Sequence, residues 1–276
     1  MEIIARASSR HATEERGPLR CVGHFRSAIN FLTPGQTLLT LHRAGRGLSP
    51  MGWEIDDDDF DEIADALADA PAHSDCCRLS PAGIELADIC VRRSGRPADL
   101  ALPSAGEIAV ATLYGALSAT AAETGLFGRL DQLIDRPPTG EIAQLQRQFS
   151  AWLRGETVDW SSLLGKGPGL TPANDDTVLG MLFCAWFDRR VDAAALPPFF
   201  SGSRALDELT TLVSLHYLRF AAQGIFATPL HQLAAALSGA GDPTEAVGDL
   251  LKIGHSSGAD TLLGIWCGAS AIDSLY

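Results

Sequence analysis

The chain changes character near residue 104, and this change restricts the fold more than any other feature of the sequence. Before it, short segments alternate in polarity and are separated by Gly and Pro, as in GQTLLTLHR (35–43) and GIELADICVRR (83–93). After it, most segments carry apolar residues at helical spacing. We therefore predict an α+β fold, with a β-rich N-terminal domain over residues 1–103 and a helical domain over residues 104–276. A single core shared by the two parts is the alternative.

One helix is predicted within the N-terminal domain, over DDDDFDEIADALADA (56–70). Its apolar residues at helical spacing are Phe60, Ile63, Ala64 and Leu67. Asp56–Asp59 then crowd the helix N-terminus, where the helix dipole favours negative charge. The alternative is a divalent-cation site, but the alternating ligands of an EF-hand are absent.

In the β-prone segment 83–93, the residues predicted to point inward are Ile84, Leu86, Ile89 and Val91.

Composition excludes two classes of partner. The 276 residues carry a formal net charge of −13, which repels nucleic acid and anionic membranes. No run of about eighteen apolar residues predicts a membrane span, and the N-terminus has no apolar signal segment. The six cysteines lack CxxC pairs and metal-ligand spacing, so we expect reduced thiols and a cytoplasmic location. A redox pair formed by adjacent Cys76 and Cys77 is the alternative.

Two glycine-rich loops, each followed by an apolar helix, form a repeated signature. The first is LLGKGPGLTPANDDTVLG (163–180) and the second is IGHSSGADTLLGIWCGAS (253–270). Each contains Asp-Thr, two apolar residues and Gly. Two copies predict a shared structural role, such as two walls of one site. In this alignment Asn174 matches Gly258, and both residue types tolerate positive φ, so we predict a left-handed turn in both loops.

A glycine-rich loop that leads into a helix N-terminus is an anion site in physical terms, because free N–H groups and the helix dipole converge there. Glycines let the backbone approach a phosphate or carboxylate, while Lys166 pairs with the anion and His255 donates a hydrogen bond or transfers a proton. The predicted catalytic residues are His255, Asp176 and Asp175. The predicted ligand-binding residues are Gly165, Lys166, Gly167, Gly169, Thr171, Asn174, Ser256, Ser257, Gly258, Asp260 and Ser214.

Three carboxylates complicate this prediction, because Asp175, Asp176 and Asp260 would repel a bare anion. They would instead hold Mg²⁺, orient a donor N–H or cap the helices. No cofactor is firmly indicated, and Mg²⁺ at Asp175 and Asp176 is the one candidate. The loops lack the spacing of a Walker A motif, and the chain shows no dinucleotide fingerprint or GxSxG elbow.

The segment between the loops, TTLVSLHYLRFAAQGIF (210–226), predicts a helix. Thr211, Ser214, Tyr217 and Leu218 share one of its faces. A packing helix with polar edges is the favoured interpretation. In the alternative, Thr211 and Ser214 face the same cleft as the two loops.

The two loop motifs resemble those of a family first described only as a domain of unknown function, which includes the AllH-type subunit of oxamate carbamoyltransferase. GKGPGLTPANDDTVLG is similar to the family's Gly-Pro-Gly-Leu-Thr-Pro-Ser-Gly-Asp-Asp block, and GHSSGADTLLG to its Gly-His-Thr/Ser-Ser-Gly-x-Asp-Thr block. Weaker similarity extends to residues 210–226 and 23–41. The chain departs from the family where Ala173-Asn174 replaces Ser-Gly, and where Ala259 replaces a common bulky aromatic.

The resemblance implies a cytoplasmic protein of nitrogen metabolism that works beside partner subunits in carbamoyl transfer. Its substrate would be a small anion such as carbamoyl phosphate, oxamate or phosphate, which agrees with the anion site read from the loops. Under this first hypothesis, residues 165–176 and 254–260 line one cleft and must converge in space. The second hypothesis is a Mg²⁺-dependent phosphate- or nucleotide-binding enzyme. The third is a non-catalytic assembly subunit whose glycines serve close helix packing.

Overall fold

The computed structural model describes residues 1–68, 77–103 and 106–276, which form two compact units, Met1–Leu100 and Ala101–Tyr276. The first unit is built on a sheet and the second on helices, so the predicted α+β class is confirmed. Cys76, half of the proposed redox pair, lies outside the described residues.

The first unit contains a mixed sheet and one helix in its described part. Helix α1 spans Asp57–Ala68. The strands are β1 Glu2–Ile4, β2 Ala7–Ser8, β3 Gly17–His24, β4 Ala28–Leu32, β5 Leu38–Arg43, β6 Gly52–Ile55, β7 Cys77–Leu79, β8 Ile84–Leu86 and β9 Ile89–Arg92. Their order in the sheet is β1-β9-β8-β7-β3-β4-β5-β6-β2.

The two edges of this sheet meet at the N-terminal segment. Strand β1 pairs with β9 in parallel, and β2 pairs with β6 in antiparallel fashion. Only Ala5 and Arg6 separate β1 from β2. The Ala5 N–H donates to the Arg92 carbonyl at 2.9 Å, and the Arg6 N–H donates to the Glu54 carbonyl at 2.8 Å. The sheet therefore curls until opposite edges are joined through one short stretch of chain.

The core of this unit follows the predicted patterns. The predicted inward residues Ile84, Leu86, Ile89 and Val91 are all buried. The apolar face of α1 is also buried as predicted, through Phe60, Ile63, Ala64 and Leu67. Asp57–Asp59 occupy the first turn of α1, which confirms the predicted helix start. Arg43 pairs with Asp61 and lies 4.4 Å from the centre of the Phe60 ring, so it fixes α1 to strand β5.

The second unit is helical. Its helices are α2 Val110–Ser118, α3 Leu130–Ile134, α4 Gly140–Leu153, α5 Ala173–Phe187, α6 Leu212–Ala221, α7 Thr228–Ala235, α8 Pro243–Leu250 and α9 Ser257–Asp273. Short 3-10 turns lie at Ala193–Ala195 and Leu206–Glu208, and a π turn at Ala236–Ala240 follows α7.

Two helical segments are shorter than the periodicity predicts. In the predicted helix 210–226, α6 begins only at Leu212, because the Thr211 hydroxyl accepts the Ser214 N–H at 3.2 Å and caps the helix there. Apolar residues recur at helical spacing through GEIAVATLYGALSATAAETG (106–125), which predicts a helix over that range, but α2 ends at Ser118 and the chain continues as a loop. This loop is held by tertiary hydrogen bonds, which local periodicity does not report.

Helices α5 and α9 cross in close contact at the centre of the second unit. A Cβ atom added to Gly180 would lie well under 3.0 Å from the Thr261 carbonyl oxygen, and one added to Gly264 equally close to the Thr177 carbonyl oxygen. The contacts are reciprocal, since each glycine faces the threonine carbonyl of the other copy. The repeated Asp-Thr-x-x-Gly pattern is therefore, in part, the signature of a symmetric helix crossing.

Candidate functional site

The two helices begin in the same register relative to the repeat. Helix α5 begins at Ala173, three residues before Asp176, and α9 begins at Ser257, three residues before Asp260. Both aspartates thus occupy the fourth helical position. Because the helices cross at Gly180 and Gly264, four residues further along, the first turns on both sides lie near the same crossing point.

Direct contacts join the two helix starts. The Thr171 and Ser257 hydroxyl oxygens are 2.8 Å apart, so the end of the first loop touches the beginning of α9. Gly125 is the second link. Its N–H donates to both carboxylate oxygens of Asp260, at 2.9 and 3.1 Å, and a Cβ atom there would lie 3.1 Å from the Ala173 Cβ. The sequence interpretation missed Gly125, because its role depends on a contact 135 residues away.

Asp175 is fully engaged by protein donors. One carboxylate oxygen accepts the Gly165 N–H at 2.7 Å, and the other accepts the Ser214 hydroxyl at 2.6 Å and the Thr210 hydroxyl. Burial raises the pKa of this carboxyl, and the three donors oppose that rise. Asp175 therefore ties the first loop to the start of α6. The sequence analysis did not identify Thr210 as a partner of Asp175. The neighbouring Thr211 donates its hydroxyl to the Leu170 carbonyl and also caps α6.

Asp176 is different, because one of its oxygens has no partner. The residue is only 6% exposed, and the buried Oδ2 atom makes no hydrogen bond. Burial raises the pKa of its carboxyl well above the usual range; the Ser257 and Thr171 hydroxyls oppose the shift, and the nearby Asp260 and Asp175 charges reinforce it. These surroundings shift the equilibrium of the carboxyl towards its protonated form, which carries an O–H donor.

Asp260, the counterpart of Asp176, is also buried, and burial raises the pKa of its carboxyl. The Gly125 N–H and the Ser256 hydroxyl oppose that rise. Ser256 and Ser257, both predicted ligand residues, thus contact the carboxyl groups of the cluster. We call Thr171, Asp176, Ser256, Ser257 and Asp260 the acid–hydroxyl cluster.

The predicted left-handed turns at Asn174 and Gly258 are wrong. Both residues lie inside the first turns of α5 and α9, and neither has positive φ. Gly258 is there because a side chain would collide with the Leu250 carbonyl, whereas the Asn174 amide donates to the Leu163 carbonyl at 2.7 Å. The buried Oδ1 atom of Asn174 has no hydrogen-bond partner. The alignment of these two residues is therefore a coincidence of sequence.

The glycines of the first loop have unequal surroundings. Gly165, Gly167 and Gly169 all have positive φ. A side chain on Gly167 would collide with the Ala173 backbone nitrogen, whereas Gly169 faces open space. The Asn174 N–H already donates to the Lys166 carbonyl at 3.1 Å. Packing within the protein therefore requires glycine at residue 167. The Asn174 N–H, at the start of α5, already has an acceptor inside the protein and is not free to bind an anion.

The two basic residues of the prediction lie at the surface. The Lys166 ammonium forms an ion pair with Glu141 of α4, and 48% of the Lys166 side chain is exposed. His255 is exposed in the loop that directly precedes Ser256. Lys166 lies in the first glycine-rich loop, and His255 directly precedes Ser256 of the cluster. Both side chains are exposed, whereas the carboxyl groups of the cluster are buried.

Within the described ranges 1–68, 77–103 and 106–276, no group of three or more His, Cys, Asp or Glu side chains is arranged to hold a metal ion. Asp175, one of the two residues predicted for Mg²⁺, already accepts three hydrogen bonds. Mg²⁺ at Asp175 and Asp176 stays a prediction.

The model of the family described as oxamate carbamoyltransferase subunit AllH matches residues 163–269. This segment begins in the first loop and ends in α9, so it contains both copies of the repeat. The match confirms the resemblance carried by the two motifs. No solved structure matches the chain. Across the described residues, no helix has both the length and the apolar character needed to cross a membrane.

Proposed function

We propose that this chain is a subunit of a carbamoyltransferase-type enzyme and that the acid–hydroxyl cluster binds a small anionic substrate, carbamoyl phosphate or oxamate. The family match over residues 163–269 supports the reaction class. One observation carries the site: Asp176 is buried at the meeting point of the two helix starts with an oxygen that has no hydrogen-bond partner.

A buried polar atom without a partner costs about 1–3 kcal/mol, so its retention calls for an explanation. Packing does not supply one, since the reciprocal glycine contacts that hold α5 against α9 do not involve the Asp176 side chain. A bound ligand that hydrogen-bonds to Oδ2 would remove the cost. A ligand that contacts Asp176 Oδ2 would therefore stabilise the folded chain.

Protonation of Asp176 also removes the objection that three carboxylates repel an anion. A neutral Asp176 donates a hydrogen bond to a carboxylate, phosphate or carbamoyl oxygen. The Thr171 and Ser257 hydroxyls, 2.8 Å apart, each donate or accept according to what the ligand presents. This combination suits a carbamoyl group, which carries one acceptor oxygen and two N–H donors.

The remaining predicted residues take supporting roles in this proposal. Asp175 holds Gly165 and Ser214, and Asp260 holds Gly125, so both position the backbone around the cluster. His255, at the exposed rim, is the acid/base. Lys166 reaches an anion only by leaving Glu141. Polarisation of the carbamoyl carbonyl by fixed donors supplies the catalytic effect.

A non-catalytic assembly subunit is the second candidate, and one observation favours it: Gly180, Gly258 and Gly264 serve close packing. That hypothesis also expects buried loops. In this structure most residues of both glycine-rich loops are exposed or half-buried. The name of the matched family denotes a subunit, so partner subunits belong to the proposal under either candidate.

The test is thermal unfolding of the chain with carbamoyl phosphate, phosphate, oxamate, or ATP with Mg²⁺. A ligand at 100 times its Kd adds about 2.7 kcal/mol to the free energy of unfolding. We expect carbamoyl phosphate or oxamate to raise the Tm, and Ser257→Ala to abolish the shift. Ser118→Ala, which removes an exposed hydroxyl at the end of α2, is the matched control and keeps the shift.

Three results would count against the proposal. Equal shifts in Ser257→Ala and the wild-type chain would place the ligand elsewhere. A shift only with ATP and Mg²⁺ would favour the magnesium alternative. No shift with any ligand would favour the assembly subunit.

A further inference from the structure

A cavity of about 420 Å³ lies in the N-terminal unit, outside the segment that matches the family model. Its walls come from four places in the chain: the loop before β3, strand β6, the turn between β7 and β8, and the end of β9. The turn at Ser80–Gly83 is a tight one, closed by a hydrogen bond from the Ser80 N–H to the Gly83 carbonyl at 2.9 Å. Pockets of this size hold small metabolites.

Two residues that line the cavity, Trp53 and Arg93, each carry a buried N–H donor without an acceptor. Trp53 is 3% exposed, and its indole Nε1 makes no hydrogen bond. The buried Nε of Arg93 also makes no hydrogen bond, although the two terminal nitrogens of this side chain donate to Glu14 at 2.7 Å and to the Ser9 carbonyl at 2.5 Å. Unpartnered buried donors are rare in folded proteins, and two of them on residues that line one cavity indicate a missing acceptor.

The charge of the wall points in the same direction. Arg16, Arg92 and Arg93 line the cavity against a single lining acid, Glu14, in a chain whose net charge is −13. Arg92 pairs with Glu2 at 2.8 Å and Arg93 with Glu14. Arg16 is exposed, and among the described residues it has no acidic group within 4.0 Å. Its charge is therefore available to a ligand.

We infer that this cavity is a second ligand site, which binds a small molecule through a carboxylate or phosphate group. An oxygen of that group accepts hydrogen bonds from the Trp53 Nε1–H and the Arg93 Nε–H, and Arg16 neutralises its charge. The site belongs to the N-terminal unit and does not depend on the function proposed for the acid–hydroxyl cluster.

The local readout is the indole N–H resonance of Trp53, since the other tryptophans, Trp152, Trp160, Trp186 and Trp266, all belong to the second unit. The Trp53→Phe variant assigns it. The full chain is titrated with inorganic phosphate and, separately, with oxalate at constant ionic strength. We expect the resonance to move in a saturable way with at least one of them, because the bare N–H gains an acceptor.

Arg16→Ala should raise the Kd of that probe about tenfold, as expected for the loss of one charge-assisted contact. Arg46→Ala is the matched control, because Arg46 is an exposed arginine that does not line the cavity. Its Kd should equal that of the wild-type chain.

An indole resonance that neither anion moves would overturn the inference. Equal weakening by Arg16→Ala and Arg46→Ala would do the same, since it would show only general attraction to positive charge. If Trp53→Phe does not fold, assignment by backbone-linked spectra of the wild-type chain leaves both tests intact.

Discussion

The crossing of α5 and α9 makes a quantitative prediction for Gly264→Ala. In an open helix interior, Ala is favoured over Gly by up to about 1 kcal/mol. At residue 264 the new methyl group would collide with the carbonyl oxygen of Thr177, with the carbonyl carbon only 2.7 Å away. These are backbone atoms inside α5, so relief requires the two helices to move apart. Overpacking of this kind costs about 1–3 kcal/mol, and occasionally more.

We therefore expect Gly264→Ala to lower the free energy of unfolding by about 1–2 kcal/mol after the gain in helix propensity is included. Gly248→Ala is the matched control. Gly248 lies inside α8, and a Cβ atom there would meet nothing within 4 Å. That variant should raise the free energy of unfolding by about 0.5–1 kcal/mol. The two substitutions are chemically identical, so their opposite signs isolate the helix crossing.

The assay is urea denaturation followed by tryptophan fluorescence and far-UV circular dichroism. Gly180→Ala should behave like Gly264→Ala, because its methyl group would meet the Thr261 carbonyl in the reciprocal contact. The double variant should cost less than the sum, since one methyl group already separates the helices. Gly264→Ala with the stability of Gly248→Ala would refute the close crossing and the structural reading of the repeat.

Three further predictions concern the cluster and its supports. Because burial raises the pKa of Asp176, the folded state binds more protons than the unfolded state, and stability falls as pH rises above about 4. Asp176→Asn should weaken this dependence and leave the part due to Asp175 and Asp260, whose pKa values burial also raises. It should stabilise the chain at neutral pH by about 1.4 kcal/mol for each unit of the Asp176 pKa shift, as measured by urea denaturation across pH. Ser214→Ala should cost about 1–3 kcal/mol in thermal unfolding, because it takes one donor from buried Asp175; a neutral effect would contradict the network. If Lys166 binds the substrate anion, Lys166→Ala should weaken binding while Glu141→Gln, which frees the ammonium, should not; equal loss in both would make the ion pair purely structural.

Local patterns predicted the parts of the fold that depend on local spacing. The buried face of α1 and the inward residues of β8 and β9 follow from period-3.6 and period-2 patterns alone. The join between β1 and β9, which pairs Ile3 with Val91 across 88 residues of chain, leaves no such trace, because two- and three-residue strands carry too few residues for a pattern.

The candidate site likewise combines features that a local pattern predicts with features that depend on distant contacts. The repeat predicted that two helix starts share a role, and they begin in the same register. The repeat wrongly predicted positive φ at Asn174 and Gly258, because the two residues have different surroundings. The Asn174 amide donates to the Leu163 carbonyl, whereas Gly258 lacks a side chain that would collide with the Leu250 carbonyl. Gly125 and Thr210 were missed because their hydrogen bonds to Asp260 and Asp175 arise only once distant segments pack.

In the proposed function, buried Asp176, whose pKa is raised, binds the substrate anion. Isothermal titration of oxamate tests it directly, since the carboxylate of oxamate stays ionised throughout the neutral range and any pH dependence belongs to the protein. We expect the wild-type affinity to fall as pH rises, because ionisation of Asp176 removes its donor and adds repulsion. The affinity of Asp176→Asn should depend on pH less steeply, with only the contribution of Asp175 and Asp260 remaining. The same pH dependence in both chains, or no binding to the folded wild-type chain at any pH, would contradict it.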